Sequence, residues 1–158
     1  MHRNKILKPI HIMEERMLKY DDAPMGYAVC FNKQCARCET CLRYRVGLLA
    51  PASRLAGMAV FPQAWREGDC SAFRPAQPAV MAWGFTHLFD RLPRYKRPWA
   101  RAALRRYFGN GMSTYYRYHY GHKMLSPVRQ QEVMTLLARY GSTDGVRFDH
   151  YVVAYDFT

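Results

Sequence analysis

The sequence predicts a mixed α+β protein, and three observations lead there. Residues 79–89 and 148–157 alternate in side-chain character with a period of two, the pattern of half-buried strands. Between them lie three stretches with helical spacing, each closed by a glycine. Ahead of both sits a cysteine cluster, Cys30, Cys35, Cys38 and Cys41, with Cys70 further on. The expected architecture is a set of short strands flanking a three-helix unit, preceded by a Cys-rich, metal-binding N-terminal part. A chain of 158 residues that is 49% apolar can build one compact core, or a small core with a metal-bound module, so disorder along its whole length is excluded.

Residues 1–24 are polar and basic, and one short helix is expected at 13–20, stopped by Asp21, Asp22 and Pro24. Residues 25–31 read as a strand running into the first cysteine. Residues 41–49 read as helix or strand, closed by Pro51, and 57–62 as a second strand. A turn over 64–70 returns Cys70 to the cluster. Residues 71–78 carry Pro75 and Pro78, which divides the chain into 1–75, the Cys-cluster part, and 76–158.

In the second part, Met81, Trp83, Phe85, His87 and Phe89 fall on the heavier face of the strand 79–89, with His87 expected as a satisfied core histidine. Pro98 opens a helix over 99–108, and Asn110 and Gly111 turn the chain. Ser113 is the expected N-cap of a helix over 114–120, and Gly121 its stop. Ser126-Pro127 announces a third helix with Val133, Leu136, Leu137 and Tyr140 on one face, ended by Gly141. The terminal strand 148–157 is expected to pair with 79–89.

The formal net charge is +12, which favours polyanionic partners. The charge is most concentrated between Arg91 and Gln131, where ten Lys or Arg occur and no acidic residue. No apolar run approaches membrane-spanning length, and the basic N-terminus lacks the apolar core of a secretory signal. A cytoplasmic location follows, and with it cysteines that are thiols or metal ligands rather than disulfides.

In the segment 101–121, RAALRRYFGNGMSTYYRYHYG, Leu104 and Phe108 face inward from a first helix and Tyr115 and Tyr118 from a second. Gly109 occupies the turn and Gly121 closes the second helix. On these positions the segment resembles the helix-turn-helix of phage-repressor-like regulators. Arg105 departs from that pattern, because such motifs present a small residue there. Its side chain must snorkel outward, or Ala102 or Ala103 makes the small contact instead.

The resemblance implies a DNA-binding, regulatory protein with 114–120 as recognition helix. Ser113, Thr114, Tyr116, Arg117 and Tyr120 would face outward. Arg117 would contact guanine in bidentate fashion, worth about 1–3 kcal/mol of discrimination. Ser113 and Tyr116 would hold phosphates, while Arg101, Arg105, Arg106 and Lys123 supply sequence-independent, salt-sensitive attraction. Tyrosines beside Arg117 also suit stacking on unpaired bases. The competing use of the same face is an adaptor that meets an acidic protein.

Tetrahedral zinc needs four ligands such as thiolates, and a tight cysteine knuckle with one returning residue provides them. Cys30, Cys35, Cys41 and Cys70 are the expected set, with Cys38 as alternative ligand. An iron–sulfur cluster in a redox or sensor protein is the second reading, and free thiols or a redox dithiol the third. The cysteines ahead of an Arg-Tyr pair also resemble a small bacterial family, a likeness that implies no activity. No nucleotide-binding loop, nucleophile elbow or paired carboxylate occurs, so nothing argues for an enzyme.

Overall fold

The computed structural model of the chain describes residues 17–66, 68–109 and 111–158. Among these residues, four α-helices and four short antiparallel strands make up a mixed α+β fold. Half of the helix expected at 13–20 lies outside the described residues; residues 17–19 are not helical, and Tyr20–Asp22 forms one turn of 3-10 helix. Two compact units are formed, one ending at Ala76 and joined by Phe157, the other Gln77–Asp156 with Thr158. No helix of the described residues is long and apolar enough to cross a membrane.

The first unit contains α1 (Leu42–Leu48) and a minimal hairpin of β1 (Trp65–Arg66) and β2 (Asp69–Cys70). Residues 41–49, open between helix and strand in the sequence, form the helix. Its inward positions are Leu42, Tyr44, Val46 and Gly47. The strands expected at 25–31 and 57–62 reduce to one parallel bridge, Val29 with Ala59. Gly26, at φ +78°, turns the chain away from extended geometry just before that bridge, so no ladder can extend in that direction.

In the second unit β3 (Pro78–Trp83) pairs antiparallel with β4 (His150–Tyr155), in a register running from Pro78 opposite Tyr155 to Trp83 opposite His150. On its other side Ala82 exchanges both backbone hydrogen bonds with Leu125, at 3.0 and 2.7 Å. The strand expected to continue to residue 89 stops at Trp83. Gly84 takes φ +86° there, and Phe85, Leu88, Phe89 and Leu92 enter the core from a compact run of turns. His87 is therefore not a core residue. It is exposed, with Nδ1 2.9 Å from Asp90 Oδ2.

Three helices complete this unit: α2 (Arg97–Tyr107), α3 (Met112–His119) and α4 (Pro127–Ala138). Pro98 and Pro127 sit in the first turns of α2 and α4, where a missing N–H costs nothing. Gly111, not Ser113, occupies the N-cap of α3, so Ser113 lies inside its first turn. The third helix ends at Ala138, short of Gly141. Gly109 (φ +92°) and Gly121 (φ +78°) supply the left-handed turns after α2 and α3.

The core gathers Ala82, Phe85, Leu88, Phe89, Leu104, Phe108, Tyr115, Tyr118, Leu125, Val133, Leu137 and Phe148. Phe108 stacks on Tyr118 at 4.6 Å and on Phe85 at 5.8 Å. Each such side chain contributes roughly 1.5–3 kcal/mol by leaving water.

The corner after β3 is held from three sides. Gly84 N–H donates to Tyr118 O (3.2 Å) and Phe85 N–H to His119 Nδ1 (3.1 Å). The Asp149 carboxylate accepts from the N–H groups of Thr86 (2.9 Å) and His87 (3.3 Å). A Cβ on residue 84 would lie 2.6 Å from Asp149 Cβ and Oδ2, so only glycine permits this approach. Burial pushes the Asp149 carboxyl up, but bonds from Thr86 and His87 outweigh it and hold the group below the ordinary carboxylate value. A depressed folded value means that the unfolded chain binds more protons in the acid range. The contribution of Asp149 is thus present at neutral pH and lost as pH falls through its folded value. Asp149→Asn should lower stability by about 1 kcal/mol at neutral pH. In urea unfolding, that gap from the parent should narrow below about pH 4; an equal gap at both pH values contradicts the assignment.

Candidate metal centre and nucleic-acid interface

The first unit is organised around its cysteines. Cys35 N–H donates to Asn32 O (3.4 Å), Cys38 N–H to Cys35 O and Cys41 N–H to Cys38 O, both at 3.0 Å. Each Cys-x2-Cys step is thereby closed as a backbone turn, and Cys41 ends the series as N-cap of α1. Cys30 is laid against that helix by its N–H bond to Arg43 O (3.0 Å). The contact depends on Gly47, since a Cβ there would lie 2.6 Å from Cys30 O. Cys70 arrives at the end of β2, where its carbonyl accepts from Phe73 N–H (3.0 Å). Leu42 N–H to Arg74 O (2.7 Å) and Ala76 N–H to Thr40 O (2.8 Å) stitch that returning segment to the start of α1.

All five cysteines consequently line one hollow of about 20 Å³, and none is in a disulfide. Cys41 is buried and the other four are half-buried. Tyr44 and Phe73 form part of the wall. Burial pushes the Tyr44 phenol up, and the neighbouring Cys38, Glu39 and Cys30 push it further in the same direction. Two arginines frame the region. Arg37 lies 3.4 Å above the Phe73 ring and 2.5 Å from Asp69 Oδ1, and Arg43 donates to Ala72 O (2.8 Å) and Ala28 O (2.7 Å).

Among the described residues no group of three His, Cys, Asp or Glu side chains stands as a ready ligand set for a metal ion. What the fold supplies is a gathering of sulfur donors. That donor chemistry fits zinc or an iron–sulfur cluster, and Cys30, Cys35, Cys41 and Cys70, with Cys38, all contribute to it.

In the second unit, α2 and α3 turn Ala100, Ala103, Leu104, Tyr115 and Tyr118 inward. Arg101, Arg106, Ser113, Arg117 and Tyr120 are exposed, while Thr114, Tyr116 and Lys123 are half-buried. Arg105 is half-buried as well. Its guanidinium stands 5.6 Å from the centre of the Tyr115 ring, and its Nε has no hydrogen-bond partner among the described residues. The small contacts on α2 are the buried Ala100 and Ala103, so Arg105 covers Tyr115 rather than wedging the helices apart. Tyr116 and Tyr120 stack on each other at 5.7 Å, beside Arg117.

Two surface aromatics escaped the sequence reading. Tyr95 and Trp99 are 73% and 69% exposed, at the approach to α2 and in its first turn. Their four-residue spacing within the acid-free stretch was visible in the sequence. That both remain outside is seen only in the structure, where Ala100, Ala103 and Leu104 fill the buried face.

The chain belongs to DUF6078, a family of unknown function, which matches residues 13–157. No curated protein and no solved structure matches it.

Close approach of α1 to the Cys30 backbone gives a direct check on the hollow. Gly47→Ala should separate the two, lowering stability by about 1–3 kcal/mol and speeding reaction of the thiols with an aromatic disulfide reagent. Unchanged thiol kinetics would mean that α1 does not hold Cys30 in place.

Proposed function

We propose that this protein binds nucleic acid through the surface of α2 and α3, and that its cysteine hollow takes up a structural metal. The observation that carries this reading is the sorting of side chains on the two helices. Alanine, leucine and tyrosine point inward and Arg101, Arg106 and Arg117 point outward, in a stretch with no carboxylate between Arg91 and Gln131. Cations fixed on packed helices and unopposed by acids neutralise phosphates, releasing counterions. DNA is the favoured polymer and regulation the favoured role, on the helix-turn-helix resemblance of segment 101–121. In that reading α3 is the recognition helix and Arg117 the base reader. Ser113, Thr114, Tyr116 and Tyr120 are its neighbours, with Arg105 and Lys123 adding to the field.

Zinc is the favoured metal, held by Cys30, Cys35, Cys41 and Cys70 with Cys38 as alternative ligand. When bound it supplies rigidity to the loops around α1 and no reaction chemistry. In the reducing cytoplasm the thiols remain available to it.

Titration of a labelled duplex and its single strand at about 50 and 200 mM salt tests the interface. Binding at low salt should weaken steeply with added salt, and Arg101→Ala or Arg117→Ala should each reduce the salt slope by about one. Failure to bind either polymer at low salt removes the reading, and capture of an acidic protein instead assigns the face to an adaptor.

Metal analysis of the purified protein should give one zinc per chain and no visible absorbance. Cys41→Ser should lose that zinc and melt at lower temperature. Coloured protein with iron and sulfide would replace zinc by an iron–sulfur cluster, and metal-free protein of unchanged melting temperature would refute a metal site.

A further inference from the structure

We propose that the polymer is taken as a single strand, DNA or RNA, with unpaired bases stacking on Tyr95 and Trp99 along the exposed side of α2. The inference rests on the nucleic-acid binding proposed above and replaces duplex reading by α3 with single-strand contact on α2. Tyr95 and Trp99 are the two most exposed aromatic side chains of the second unit, and they stand one helical turn apart. Continuing along that side of α2, Arg106 follows Trp99 by seven residues and is exposed too. Ala100, Ala103 and Leu104 form the buried face, centred about a quarter-turn round the helix from Trp99, and fill it while both rings stay in solvent.

The charge around the rings indicates what covers them. Arg94 is exposed beside Tyr95, and Lys96 Nζ stands 5.9 Å from the Tyr95 ring. No acidic residue occurs in the chain for more than a helix length on either side of Trp99 apart from Asp90. A ligand that matches both features presents flat apolar faces and a row of negative charges. A duplex has the charges but hides its base faces inside the stack, whereas an unpaired strand offers both. Stacking on tyrosine or tryptophan is sequence-tolerant, because every base has a π-face.

Competition binding with the full chain, using a mixed-sequence strand of about 20 nucleotides and its duplex at one salt concentration, provides the test. The single strand should bind about tenfold tighter or more. Trp99→Ala and Tyr95→Ala should each weaken single-strand binding roughly tenfold, while duplex binding and the salt slope stay as in the parent. Trp99→Phe should restore most of the loss, and unchanged thermal melting of all three variants shows that the fold is intact. Equal or tighter duplex binding overturns the inference, as does single-strand affinity indifferent to both alanine variants. In either case binding to nucleic acid itself still stands. No binding of either polymer at low salt defeats both readings together. Binding to anionic phospholipid vesicles that needs Trp99, with single-strand binding independent of it, also overturns the proposal by assigning the rings to a membrane surface.

Discussion

Everything in the second unit hangs on β3. A two-stranded sheet is marginal in water by itself, and this one survives because both edges and one face of β3 are used. One edge carries the β4 ladder and the other exchanges bonds with Leu125. Gln130 reaches from α4 to the carbonyls of Val80 (2.7 Å) and Leu125 (2.9 Å), tying that helix to the strand. At its end, Gly84 and Phe85 donate their N–H groups to the last turn of α3. The basic helices are thus tied to a six-residue strand in which both backbone groups of Ala82 are paired.

The sequence revealed most about elements whose partners lie in a regular pattern. Period-two alternation located both strands of this sheet, and proline and glycine bracketed the helices. It overran β3 because alternation continues through Gly84 unchanged in composition. Only the positive φ imposed by Asp149 and the last turn of α3 shows that the chain turns there. His87 was misread for the same reason: on a continued strand it shares a face with Phe85 and Phe89, but on a turn it faces water. Residues 25–31 and 57–62 have strand-like composition, yet strands exist by pairing, and these two meet at one bridge only.

The cysteine region shows the opposite balance. Spacing along the chain identified the five thiols as a group, and the structure adds how distant ones are brought in. Cys70 depends on a hairpin of two-residue strands, and Cys30 on a glycine in the facing helix. The turn that returns Cys70 was legible in the sequence, whereas the glycine contact that holds Cys30 leaves no motif in the spacing. Arg105 is similar, because pattern marked it as misplaced, whereas the observed side chain uses its length to lie across an aromatic ring. Surface chemistry was the least legible. Which of the many aromatics remain outside is decided by the register of α2, and one register turns Trp99 to solvent and Ala100 to the core.

Pairing of residue 78 with residue 155 has a further implication, for the order in which the protein is made. The helices lie between the two strands in sequence, so α2, α3 and α4 are synthesised before the second strand of their sheet exists. Closing so long a loop is slow compared with helix formation. Until that loop closes, the edge of β3 that faces β4 lacks its ladder. Unpaired edges of this kind are where chains associate wrongly. Like charge on the exposed Arg101, Arg106 and Arg117 opposes the approach of a second copy while that edge is uncovered.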